Sequence, residues 1–150
     1  MKIRNATVDD LTDIERLLSV NQLPLDGVKE NVRDFIVAEN GDEIAGAIGL
    51  EKFGNVALLR SAVVAAEYRG SGVGRKLVER ALARCEETGI DELYLLTTTA
   101  EEYFPRFGFA RTTRSAVPDA LKASAEFQGA CPDTAVVMTR HIGSGGRIPA

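Results

Sequence analysis

EYRGSGVGRKL, Glu67 to Leu77, sets glycines at positions 70, 72 and 74 behind Arg69 and then enters an apolar pattern. Upstream, NVALLRSAVV (residues 55–64) is rich in Val and Leu and long enough for a central strand. Downstream, Leu77, Val78, Ala81, Leu82 and Cys85 fall on one helical face, and Gly89 marks the end of that helix. The glycines therefore join a strand to a helix. At such a junction the first amides of the helix lack intrahelical partners and the helix dipole adds partial positive charge. Glycine, without a Cβ, lets the main chain approach a ligand closely. These properties together describe a cradle for a phosphate group.

The remaining elements read outward from this turn. KIRNAT predicts a first strand. Thr7 predicts a helix start, with Asp9 and Asp10 in the favourable first turn and Leu11, Ile14, Leu17 and Leu18 at helical spacing. LPLDG ends that helix, and a short second one is expected from Val28 to Arg33. DFIVAEN and EIAGAIGLEKF, joined by Gly41-Asp42, predict a hairpin. After the glycine turn and its helix come ELYLLTT as a strand and AEEYFPRF as a short helix stopped near Gly108. GFART and CPDTAVVMTRHI supply the last two strands. The expected body is one domain over 1–142, with GSGGRIPA (143–150) a flexible tail.

The composition suits a folded domain of 150 residues with a net charge of −4. The mild negative charge argues against nucleic acid as the main partner. No apolar run has the length of a membrane span, and the opening strand pattern predicts no export signal. Cys85 and Cys131 are not spaced as metal ligands, so no metal is expected. They are read as free thiols in a reducing cytoplasm.

Two nucleotide motifs fail in register. A dinucleotide fingerprint starting at Gly70 requires a third glycine where Arg75 stands. A phosphate-binding P-loop starting at Gly70 requires glycine at 75 and Ser or Thr at 77, where the chain has Arg75 and Leu77. The pattern that fits is R-x-x-G-x-G: Arg69, Gly72, Gly74. With LLRSAVVAAEYRG before it, KIRNATVDDLTDI at the start and YFPRFGF later, the chain resembles the GNAT superfamily of acyl-CoA-dependent N-acetyltransferases over nearly its whole length. That resemblance implies an α/β fold, a mixed central sheet flanked by helices on both faces.

It also implies acetyl-CoA as donor. In the cofactor-binding loop opened by Arg69, the amides of Gly70, Ser71, Gly72, Val73, Gly74 and Arg75 would hold the diphosphate. Main-chain groups of Ala62, Val63 and Val64 would pair with the pantetheine arm like an added strand. The thioester would lie where LLRSAVV and ELYLLTT splay apart, with an amide near Val63 stabilising the oxyanion. Many GNAT enzymes use a tyrosine as general acid in a Y-x-x-x-G-F pattern. Counting back from Phe109, that position is Phe104, and the adjacent Tyr103 is rotated by about 100° on a helix. Phe104 is then expected to line the thioester channel, and Thr97 or Thr98 to assist the leaving thiol.

LYLLTTTAEEYFPRFGF is similar to bacterial glutamate N-acetyltransferases, and VPDALKASAEFQGACPDTAVVM resembles a GNAT branch linked to arsenic-resistance operons. Both imply a small amino-acid-like amine acceptor, glutamate or an arsenic-containing analogue. The rival readings are a protein N-terminal or lysine acetyltransferase and a CoA-binding sensor without turnover. A homodimer is the expectation by family analogy.

Other residues carry open alternatives. Arg60 and Ser61 interrupt an apolar strand. Arg60 either binds an acceptor carboxylate in fork geometry or sits at a solvent edge. Arg106 reads as a surface residue more than a second carboxylate ligand. Glu51 reads as a solvated strand end, the alternative being a base acting through water. Cys85 reads as core and Cys131 as structural. His141, at the end of the last strand, is not assigned a role. Tyr103, Phe104, Phe107 and Phe109 form a mostly buried aromatic cluster. The segment from Val117 to Pro132 is expected to cover a small site.

Overall fold

The computed structural model describes residues 1–130 and 132–142. Its strands are β1 (Lys2–Asn5), β2 (Phe35–Asn40), β3 (Glu43–Phe53), β4 (Val56–Val64), β5 (Glu92–Thr97), β6 (Ala110–Thr112) and β7 (Val136–His141). Its α-helices are α1 (Leu11–Val20), α2 (Val28–Asn31) and α3 (Val73–Glu87). The strands form a mixed seven-stranded sheet in the order β1-β2-β3-β4-β5-β7-β6. β4 and β5 are parallel; β1–β2, β2–β3, β5–β7 and β6–β7 are antiparallel. The expected α/β class is the one observed, and the strands follow one another in the expected order.

The chain divides into two compact units. The first comprises Met1–Leu50 and Arg60–Ala81. Here β1, β2 and β3 pair through a hairpin whose last partners are Asn40 and Glu43. Ile14 and Leu18 of α1 join Val28, Val32, Phe35, Val37, Ala47 and Val63 in one buried cluster. The helical spacing of the α1 leucines and isoleucine explains this, because residues four apart share a face. Gly46 sets how closely the elements pack. A Cβ there would lie 2.9 Å from the Val63 carbonyl oxygen and 3.0 Å from Leu77. Only a bare residue lets the start of α3 and the end of β4 close on β3 in this way.

The second unit comprises Glu51–Leu59 and the chain from Leu82 onward. Its ladder between β4 and β5 runs from Val56↔Glu92 to Leu59↔Leu95. β4 itself continues to Val64. Val56, Leu58, Tyr94 and Val137 pack with Val117 and Leu121 of the segment after β6. That segment is a 3-10 turn at Asp119–Ala123 and a kinked turn at Glu126–Ala130. Val117 and Leu121 of this segment lie on apolar strand residues.

Two elements differ from the sequence-based expectation. AEEYFPRF is not an α-helix: residues 101–103 form a turn, and only Phe104–Phe107 is helical, in the 3-10 form. Pro105 removes an amide donor, and Gly108 at φ 88 ends the run. The last strand begins at Val136, because Pro132 opens a turn closed by the Ala135 amide at 3.0 Å. Cys131 and the tail 143–150 lie outside the described residues.

Candidate functional site

The glycine stretch builds an anion-ready helix start in the first unit. The Lys76 amide donates to the Gly72 carbonyl at 3.2 Å, the opening turn of α3. The amides of Val73, Gly74 and Arg75 precede it, in the positions that have no intrahelical acceptor. The first turn holds no acidic residue. It holds Arg75 and Lys76, both exposed, where cations oppose the helix dipole unless an anion is bound. Gly70 and Gly72 have φ of 81 and 86, and a Cβ on either would meet nothing within 4 Å. The glycines are thus required by backbone conformation, and the space beyond their Cα atoms is open.

The segment leading to this turn is strained and then fastened. Ser61 has φ 56 in the middle of β4, a left-handed conformation unusual for a residue with a side chain. The unbroken burial of Val56 to Arg60 ends there, with Ser61 half-buried, Ala62 exposed and Val63 buried. Arg60 is only 3% exposed, its Nε donates to Ser61 Oγ at 2.9 Å, and its Nη2 lies 3.5 Å from the Pro24 carbonyl. The solvent-edge reading of Arg60 is therefore corrected. A buried guanidinium needs acceptors for its N–H groups, and here its Nε fixes the hydroxyl of the strained residue.

Arg69 does not point freely outward. Its Nε donates to the Val64 carbonyl at 3.0 Å and its Nη2 to Asn21 Oδ1 at 2.5 Å. Ser71 Oγ donates to the Tyr68 carbonyl. The Tyr68 hydroxyl donates to Glu43 at 2.7 Å and accepts from Asn40 at 2.9 Å. The Asn40 amide pulls the phenol pKa down, Glu43 holds its proton, and the net shift is upward.

The remaining expected residues lie in the second unit. Thr97 Oγ1 accepts from the Ala100 amide at 2.9 Å and the Thr99 amide at 3.3 Å, which fixes the end of β5. An oxygen holding two amides still carries its own proton to donate. Thr98 is exposed. Phe104 is buried and packs edge-on with Tyr103 and Phe109, at 5.4 and 5.7 Å between centroids. Tyr103 also stacks against Phe107 and carries the Arg106 guanidinium over its ring at 4.5 Å. Arg106 is exposed, as expected. His141 is exposed, 3.3 Å from Glu92.

Glu51 also departs from the sequence-based expectation. Glu51 is 5% exposed and is not a solvated strand end. Ser124, at 2% exposure, donates to Glu51 Oε1 at 2.8 Å and accepts from the Glu126 amide at 3.2 Å. Ser124 and Glu126 carried no sequence signal beyond standing in the expected cover. Cys85 is buried as expected, and burial pushes its thiol up to about 11 against the lowering pull of Lys52.

Known proteins sharpen this picture. An uncharacterized N-acetyltransferase of Chlorobaculum tepidum is 28% identical over 91% of this chain and 95% of its own length. An amino-acid acetyltransferase of Ralstonia nicotianae is 30% identical over 78% of this chain; the chain spans only 28% of that relative. The N-acetylglutamate synthase of Neisseria gonorrhoeae, solved with coenzyme A and N-acetyl-glutamate, has the same fold. It aligns with a TM-score of 0.80 at 19% identity, covering 94% of this chain and 35% of that one. The family model described as Acetyltransferase (GNAT) domain matches residues 31–111, and the chain accordingly belongs to the GNAT acetyltransferases.

Proposed function

We propose that the protein moves the acetyl group of acetyl-CoA to the amino group of a small, carboxylate-bearing acceptor in a ternary complex. The observation that carries this reading is the start of α3. Its leading amides, two left-handed glycines with open space beyond them and an acid-free first turn together suit a diphosphate. In this reading the amides of Gly70 to Arg75 hold the diphosphate, and Ala62, Val63 and Val64 pair with the pantetheine.

The neutral amine attacks the thioester carbonyl and a C–N bond forms. The carbonyl electrons collect on an oxyanion held by an amide near Val63. The oxyanion then collapses, the C–S bond breaks, and the thiolate leaves. The proton lost by the amine passes to the sulfur through water. An α-amine with a pKa near ~8 is about one-tenth neutral at pH 7, which costs only ~1.4 kcal/mol. Orientation of the reactants therefore carries more of the rate than a strong base. The absence of a tyrosine at 104 is tolerable because a free thiol has a pKa of only ~8.5.

The acceptor class rests on the named relatives that act on amino acids. Glutamate and an arsenic-containing glutamate analogue are the first acceptors to test. Thiol release from acetyl-CoA across a panel of amino acids is the assay. Release with carboxylate-bearing amines is the expected result. A melting temperature raised by acetyl-CoA with no release from any acceptor would favour the sensor reading instead.

A further inference from the structure

We propose that Asn21, Tyr68 and Arg69 form a brace that presets the diphosphate loop before coenzyme A arrives. The inference rests on the reading of Gly70 to Arg75 as that loop. A loop that must present several amides to one anion loses conformational freedom on binding unless the fold has already fixed it. In the first unit, backbone bonds fix the 3-10 turn Ala66–Tyr68 through the Tyr68 amide to Ala65 and the Arg69 amide to Ala66. The next helical bond begins at Gly72. Side chains fasten the stretch between.

Asn21 follows the last residue of α1 and donates its Nδ2 to the Leu17 carbonyl at 2.8 Å. That bond fixes the amide so that Oδ1 faces Arg69 Nη2. The same guanidinium holds the Val64 carbonyl. Arg69 therefore ties the main-chain segment assigned to the pantetheine to the loop assigned to the diphosphate, and anchors both to the end of α1. The Tyr68 phenol is gripped by Asn40 and Glu43, the final register pair of the β2–β3 hairpin. Its carbonyl takes the Ser71 hydroxyl, which carries the restraint into the glycine turn. Asn21 and Tyr68 are thus positioning residues for donor binding that touch no substrate.

The test uses the full chain with Asn21→Ala and Tyr68→Phe. Both acetyl-CoA and S-acetylpantetheine, a donor without the diphosphate, are compared. Each variant should bind coenzyme A about three- to tenfold more weakly, the loss of one such link. Turnover at saturating acetyl-CoA and kcat/KM with S-acetylpantetheine should not change. Asn21→Asp, which keeps an acceptor oxygen for Arg69 but cannot donate to the Leu17 carbonyl, should restore affinity in part. A loss shared equally by both donors would mean general destabilisation and would overturn the brace. So would variants that bind coenzyme A as tightly as the native chain. A native chain that binds no coenzyme A would bring down the loop assignment itself, and the brace with it.

Discussion

Replacing Gly72 by alanine separates backbone conformation from ligand binding. At φ 86 a side chain is strained wherever it stands, but an added Cβ meets no protein atom within 4 Å. The folding cost is then the left-handed penalty alone, about 1–2 kcal/mol. For a chain of this size that lowers the melting temperature by about 2–8 °C. The binding cost is separate. The Cβ enters the open space assigned to the diphosphate and displaces it from at least one amide. A hydrogen bond to a charged group is worth about 1.5–3 kcal/mol, or roughly 10- to 150-fold in affinity. Gly89, beyond the other end of α3, supplies the control: φ 76, again with nothing within 4 Å of its Cβ. Gly89→Ala should lose similar stability and no affinity. Titration calorimetry with coenzyme A and thermal melting of both variants test this. If Gly72→Ala binds as tightly as the native chain, or Gly89→Ala loses as much affinity, the diphosphate is not held at this turn.

Two further outcomes follow from buried and paired groups. The Arg4 guanidinium, bonded to both Asp10 oxygens at 2.8 and 2.9 Å, holds that carboxyl below the usual carboxylate range, helped by the Thr7 amide at 2.8 Å. A folded pKa below the unfolded one gives stability that is complete above the unfolded pKa of about 4 and is lost as pH falls through the folded value. Asp10→Asn should therefore cost about 1–2 kcal/mol in urea melts at pH 7, the difference closing below about pH 4; a gap independent of pH would refute the pairing. Cys85, buried with its thiol pushed up to about 11, should escape alkylation at pH 8 in the folded chain and react once unfolded, as peptide mass mapping would show.

The features legible in the sequence are those decided by neighbours along the chain. The glycine turn could be read because left-handed backbone selects glycine locally, and α3 because its apolar face recurs at helical spacing. The hairpin followed from Gly41-Asp42 between strand patterns. What could not be read depends on partners far away in sequence. A polar residue interrupting an apolar strand is read as reaching water, because burying it alone is costly. Glu51 escapes that logic through Ser124, 73 residues on, and no local pattern announces the meeting. Arg60 escapes it through its own neighbour, Ser61, whose left-handed backbone is invisible in a run of strand formers. Arg69 belongs to both classes. Its place in the R-x-x-G-x-G spacing marks the loop. That its guanidinium reaches back 48 residues to Asn21 is a property of the fold alone.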